Sequence, residues 1–128
     1  MGDPGQKKVL IIDDERDICF LFGRILRKRN LKPDYANNLA EAIQSIQAET
    51  PALIFLDNYL PDGQGMDFIP YLKRHYPCTQ VVMITANDSV SDMKRAFKQG
   101  ADEFLGKPLS LVLINNTLDR LKDLNQTV

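Results

Sequence analysis

Four segments of this 128-residue chain carry side chains able to do chemistry together: Asp13-Asp14-Glu15, Asp57, Thr85-Ala86 and Lys107-Pro108. Each follows a stretch whose pattern reads as a β-strand. In an open α/β sheet, ligands bind beyond the carboxyl ends of the strands, so carboxylates, a hydroxyl and an ammonium converge on one edge. Taken singly, each residue has an ordinary role. Asp14 and Glu15 suit the first turn of a helix through its dipole, Asp57 suits a turn, Thr85 an N-cap and Lys107 a solvated loop. Those roles do not explain why acids gather at neighbouring strand ends. Carboxylates within ~4–6 Å of one another repel, so the pattern implies a cation. Oxygen-only donors with no nearby His select a hard ion, and Mg²⁺ fits best.

The elements that must position these groups are legible in the hydrophobic pattern. Val9-Leu10-Ile11-Ile12, Leu53-Ile54-Phe55-Leu56 and Val81-Val82-Met83-Ile84 are unbroken apolar runs, as expected of strands covered on both faces. Residues 33–36 and 103–106 are weaker strand candidates. Ile18, Leu21, Phe22, Ile25 and Leu26 recur at helical spacing, and so do Leu39, Ala42, Ile43 and Ile46. Ile69, Leu72 and Tyr76 form a third stripe, and Val90, Met93 and Phe97 a fourth. Leu111, Ile114, Leu118 and Leu121 form a fifth, on a helix expected over residues 109–126. Strands alternating with helices predict an α/β fold, a doubly wound parallel sheet with helices on both faces. Placing the most apolar strands centrally fits the strand order 2-1-3-4-5. Asn38 is an expected N-cap and Gly100 an expected C-cap. Residues 1–6 read as a loose tail or cloning remnant, and 7–126 as one domain.

Composition and failed motifs remove several function classes. Lys plus Arg number 16 against 17 Asp plus Glu, a net charge of −1 that gives no bulk attraction for nucleic acid or anionic lipid. No apolar run approaches the ~20 residues of a membrane span. Cys19 and Cys78 have neither disulfide-framework nor metal-ligand spacing, so the expectation is a cytoplasmic chain with reduced thiols. The segment from Asp57 fails as an EF-hand loop because Tyr59 and Pro61 stand at ligand positions. Gly100 to Lys107 has one residue too many for a P-loop, and Pro108 replaces its Ser or Thr. Pro61-Asp62-Gly63 reads as a tight turn, with Gly65 permitting an unusual backbone just before a helix. His75, beside Lys73 and Arg74, complements a helix dipole.

Taken in order, these motifs resemble the receiver domain of bacterial two-component (phosphorelay) response regulators, over nearly the whole chain. Asp13-Asp14 is similar to the family's acidic pair, and Asp57 with Leu60-Pro61-Asp62 and Gly65 to its phosphoacceptor loop. Thr85-Ala86 resembles its switch hydroxyl and Lys107-Pro108 its lysine. The resemblance implies a flavodoxin-like (βα)₅ fold and a phosphorylation-driven signalling switch. Asp57 would take a phosphoryl group from a histidine kinase or a histidine phosphotransfer protein. Asp14, Asp13 mainly through water, Asp57 and the Tyr59 carbonyl would hold Mg²⁺. Lys107, the Thr85 hydroxyl and the Ala86 amide would meet the phosphoryl oxygens. Thr85 and Phe104 would form the switch; Phe104 has no hydroxyl and acts through packing alone.

The same resemblance implies a protein that is no enzyme beyond its own phosphorylation and dephosphorylation. Its output face would be the fourth helix, fifth strand and fifth helix, open to a partner helix or a symmetric homodimer. Lys94, Arg95, Lys98, Asp102, Glu103, Arg120 and Lys122 are the exposed candidates there. Glu15 is expected to point along the first helix turn, and bulky Tyr59 to shift the rate of phosphate loss. The last helix lacks the Glu-Leu…Ala-Arg pattern of receivers joined to winged-helix DNA-binding domains. One alternative is a small phosphotransferase or phosphatase working through an aspartyl-phosphate intermediate, which wants an acid where Tyr59 stands. Another is a flavin-binding electron carrier, whose phosphate Asp13-Asp14-Glu15 would repel.

Overall fold

The computed structural model describes residues 5–87, 89–121 and 124. Its elements are β1 (Lys8–Ile12), α1 (Arg16–Lys28), β2 (Lys32–Ala36), α2 (Leu39–Ala48) and β3 (Leu53–Asp57), then α3 (Gly65–His75), β4 (Gln80–Thr85), α4 (Val90–Gln99), β5 (Glu103–Gly106) and α5 (Leu111–Arg120). The five strands are parallel in the order 2-1-3-4-5, the expected flavodoxin-like arrangement. Outside that sheet, Tyr59–Leu60 pairs antiparallel with Gly63–Gln64, with Pro61-Asp62 as the turn.

The apolar runs are explained by two cores, one on each face of the sheet. Val9, Ile11, Phe55, Val82 and Ile84 pack against Phe22 and Leu26 of α1 and Ile114 and Leu118 of α5. Their neighbours Leu10, Ile12, Ile54, Leu56 and Met83 point the other way, onto Ala42, Ile46, Ile69, Leu72 and Ala96. Burying each such side chain stabilises by roughly 1.5–3 kcal/mol, the reserve that lets the strand ends carry charge. Asn38 Oδ1 accepts from the Glu41 N–H at 2.8 Å, and Gly100 closes α4 with φ +115°, both as expected. Lys8 is buried; its Nζ donates to the Ser45 and Glu49 carbonyls at 2.6 and 2.9 Å and so caps the C-terminus of α2.

Three expectations need correction. The α4 stripe faces outward: Val90, Met93 and Phe97 are 65%, 38% and 45% exposed, and Ala96 alone is buried on that helix. Helical spacing identifies a helix without saying which stripe is covered. Secondly, α5 begins at Leu111 behind the N-cap Ser110 and ends at Arg120, where Leu121 turns extended; Lys122 lies outside the described residues. Thirdly, Gly65 is not required for an unusual backbone, since the positive-φ glycines are Gly63 and Gly100. Gly65 is required for space, because a Cβ there would collide with the Asp57 carbonyl oxygen and stand 2.9 Å from Leu56 Cγ. Gly65→Ala should therefore lower stability by about 1–3 kcal/mol in urea or thermal unfolding, the range of overpacking a closed core. An unchanged midpoint would show that the loop absorbs a methyl group freely.

Candidate functional site

The parallel sheet delivers the ends of β1, β3 and β5 to one edge. Asp13, directly after β1, is fully buried; its Oδ1 accepts from the Glu15 N–H at 2.8 Å. Asp57, the last residue of β3, is buried beside it, and Asp14 is exposed at the rim. One carboxylate oxygen from each of Asp13, Asp14 and Asp57 lies within 4.8 Å of the others. Lys107, just after β5, places its Nζ 3.0 Å from Asp13 Oδ2, 3.6 Å from Asp57 Oδ1 and 2.9 Å from Glu15 Oε1. The last contact corrects the expectation for Glu15. Its carboxylate does not lie along the first turn of α1 but reaches across to Lys107.

Three carboxylates thus meet one ammonium, with Asp14 close by at the rim, and the charge states record the imbalance. Burial, then the charge of Asp13, pushes the Asp57 carboxyl up to about 6, partly countered by Lys107. Burial likewise raises Asp13, against the Glu15 N–H and Lys107. Burial disfavours the Lys107 ammonium, but its hydrogen bond to Glu15 and its close ion-pair contact with Asp13 outweigh that and push it up to about 12. Asp13 Oδ2 is buried without a hydrogen bond, so its 3.0 Å approach to Lys107 is an ion-pair contact poorly aligned for hydrogen bonding. An orphaned buried oxygen amid oxygen donors fits a hard divalent cation of the Mg²⁺ kind. Cys19 lies close by, its thiol raised to about 11 by burial and then by Asp13 and Asp14, so it stays protonated and unreactive.

Backbone bonds hold the β3–α3 loop in place. Asn58 is buried, its carbonyl accepting from the Gly65 N–H at 2.9 Å and its Oδ1 from the Met66 N–H at 3.0 Å. Asp62, at the hairpin turn, accepts from the Leu39 and Ala40 N–H groups at 2.8 and 3.1 Å, tying the loop to the start of α2. The carboxyl of Asp62 is lowered accordingly, chiefly by the Leu39 bond. Sequence reasoning missed Asn58; an Asn following an acid at a strand end, ahead of a helix, is the signal that could have found it.

Thr85 ends β4, buried, with its Oγ1 accepting from the Asn87 N–H at 3.1 Å. It does not cap α4; Ser89 does, accepting from the Asp92 N–H at 3.1 Å. The exposed Ala86 follows it. The Tyr59 hydroxyl accepts from Asn87 Nδ2 at 2.8 Å, so the bulky side chain bridges the β3 and β4 loops at the border of the site. Phe104, on edge strand β5, is half-buried against the core layer of α2, α3 and α4, in register with Met83. Asp13, Asp14, Asp57 and Lys107 are brought into one cluster, with Thr85 and Ala86 on the adjoining strand end.

The family model of the response regulator receiver domain matches residues 9–119. The response regulator protein PilR of Pseudomonas aeruginosa is 40% identical over 106 residues, 83% of this chain but only 24% of PilR. In structure, the beryllofluoride-activated NtrC4 receiver domain dimer is 38% identical, with a TM-score of 0.83 over 89% of this chain and 94% of that one. A Burkholderia pseudomallei response regulator with a phosphorylated aspartic acid, calcium ion and citrate is 28% identical, with a TM-score of 0.81 over 92% of this chain and 68% of that one. These matches do not favour the phosphatase alternative. Joined to an acidic cluster at the strand ends of a flavodoxin-like sheet, they establish that the chain belongs to the response regulator receiver domain family, the phosphorylation-dependent signalling switches of two-component systems.

Proposed function

We propose that Asp57 is the residue that accepts the phosphoryl group, from a phosphohistidine of a histidine kinase or histidine phosphotransfer protein. The observation that carries this is the buried Asp57 carboxylate with Lys107 at 3.6 Å and the oxygens of Asp13 and Asp14 within 4.8 Å. An Asp57 oxygen attacks phosphorus, the P–N bond breaks, and its electron pair leaves with the imidazole nitrogen, giving an acyl phosphate. With its carboxyl at about 6, Asp57 is mostly ionised at neutral pH and competent to attack. Lys107, the Thr85 hydroxyl and the Ala86 N–H are the groups that would meet the phosphoryl oxygens. Mg²⁺, held by Asp13, Asp14, Asp57 and the Tyr59 carbonyl, would offset charge on those oxygens. On this reading the domain, residues 7–126, is cytoplasmic and catalyses only its own phosphorylation and dephosphorylation.

The output surface we propose is α4–β5–α5, engaged by a second copy of the chain. Thr85 leads into α4 and Phe104 lies on the strand between, so a hydroxyl drawn toward phosphate frees space that Phe104 can fill. Several charged candidates there are already paired within the chain: Arg95 with Asp67, Asp102 with Lys73, and Arg120 with Glu103. Those pairs shift the weight of an interface onto the exposed apolar stripe of Val90, Met93 and Phe97.

Acetyl phosphate with Mg²⁺ should add one hydroxylamine-labile phosphate, and Asp57→Asn should abolish it; normal labelling of that variant sinks the assignment. Asp57→Asn should also be the more stable protein without metal. A carboxyl raised to about 6 makes the native state lose stability as pH climbs from the ordinary carboxylate range through 6. Removing the charge should therefore gain about 2 kcal/mol above pH 6, fading toward pH 4, as equilibrium unfolding across that range would show. Lys107→Ala should keep a cooperative fold yet weaken the beryllofluoride-induced change in the amide NMR spectrum; an undiminished change leaves Lys107 as a mere loop lysine. Phe97→Asp should hold the beryllofluoride-bound protein monomeric where the unmodified chain dimerises, measured by light scattering. Equal masses would move the output elsewhere.

A further inference from the structure

We propose that Glu15 is a positioning residue: in the resting state it holds the Lys107 ammonium back from Asp57 and so sets how readily Lys107 engages a phosphoryl group there. The inference rests on the Asp57 reading above. Of the three carboxylates around Lys107 Nζ, Glu15 is the nearest at 2.9 Å, with hydrogen-bond geometry; Asp57 is the farthest at 3.6 Å. Asp13, at 3.0 Å, is left without an aligned bond. The backbone of Glu15 is anchored, since its N–H donates to Asp13 Oδ1 at 2.8 Å. Glu15 stands at the N-cap of α1, in extended conformation, but its side chain makes no capping bond to the helix. Its carboxylate is instead committed to a lysine 92 positions away.

An ammonium drawn onto a phosphoryl oxygen at Asp57 must lengthen or break that bond, which makes Glu15 an internal competitor for it. The competitor is suited to yield. The Glu15 side chain is 58% exposed, so its ion pair is screened and weak beside that with a buried phosphoryl group carrying nearly two charges.

The test is a beryllofluoride titration of the full chain in saturating Mg²⁺, followed by amide NMR, for the unmodified protein, Glu15→Gln and Glu15→Asp. Gln removes the charge; Asp keeps it but is one methylene too short to reach Lys107. Both should tighten beryllofluoride binding about two- to fivefold, the range of an exposed ion pair. In a Lys107→Ala background, Glu15→Gln should give no gain, because its effect runs through the lysine. A gain with Gln alone, or one that persists without Lys107, would show simple charge repulsion and overturn the proposal. So would unchanged or weakened binding in either variant, or a loss of Mg²⁺ affinity as large as that of Asp14→Asn. Failure of the unmodified protein to bind beryllofluoride would overturn the Asp57 reading itself, whereas binding with unresponsive Glu15 variants overturns this inference alone.

Discussion

The ammonium of Lys107, within 3.6 Å of three carboxylates on two stretches of chain, is what lets those acids face one another at the edge of the sheet. Burial penalises the charges of Asp13, Asp57 and Lys107; it and the charge of Asp13 raise Asp57 to about 6 against the pull of Lys107, while Glu15 and Asp13 push Lys107 itself up to about 12. The lysine gains from three neighbours, but no single carboxylate is fully compensated by it. The arrangement therefore stays electrostatically unfinished, open to a further cation and to a change in how the lysine is shared.

Such a cluster survives only if its members cannot drift apart. Parallel pairing of β1, β3, β4 and β5 fixes where the strands end, and the two buried layers hold the sheet. Beyond the strands, the chain is held by bonds that replace secondary structure. Asn58 ties the loop after Asp57 to the start of α3, and Asp62 ties it to α2. Tyr59 ties it to Asn87, which in turn donates to Thr85. Gly65 admits the Asp57 carbonyl at a distance no side chain allows. Hydrophobic burial thus supplies the stability, and these polar contacts spend part of it on position.

The strands and their order were legible because a sheet covered on both faces needs unbroken apolar runs, and Val9 to Ile12 or Val81 to Ile84 have no other soluble use. Asp13, Asp14, Asp57 and Lys107 were legible because a strand end is a register position, and parallel topology turns register into proximity. Side-chain direction was not. Glu15 was expected along its own helix because local spacing cannot reveal a lysine 92 residues away. The stripe of Val90, Met93 and Phe97 resembles a core stripe in every local respect, and only the packing of α4 through Ala96 shows it to be outside. Asn58 and Asn87 act through backbone bonds that need the assembled loops before they exist.

Two lysines at opposite ends of the sheet show why one end is fixed and the other able to change. Lys8, at the start of β1, is buried with its ammonium bonded to two carbonyls at the C-terminal end of α2, those of Ser45 and the C-cap Glu49, and Asp34 completes its surroundings at 3.5 Å. Asp34 is held in turn by the Ser45 hydroxyl and the Tyr35 N–H. Every partner there is a backbone group or is itself tied down, so moving Lys8 would strand several polar groups at once. Lys107 has instead three carboxylate partners at unequal distances, one of them on an exposed side chain and one with an oxygen left without a hydrogen bond. Shifting its ammonium by less than an ångström trades one partner for another without leaving the charge bare. The same residue type makes a strut in the first setting and a movable contact in the second, and the difference lies wholly in whether its partners compete.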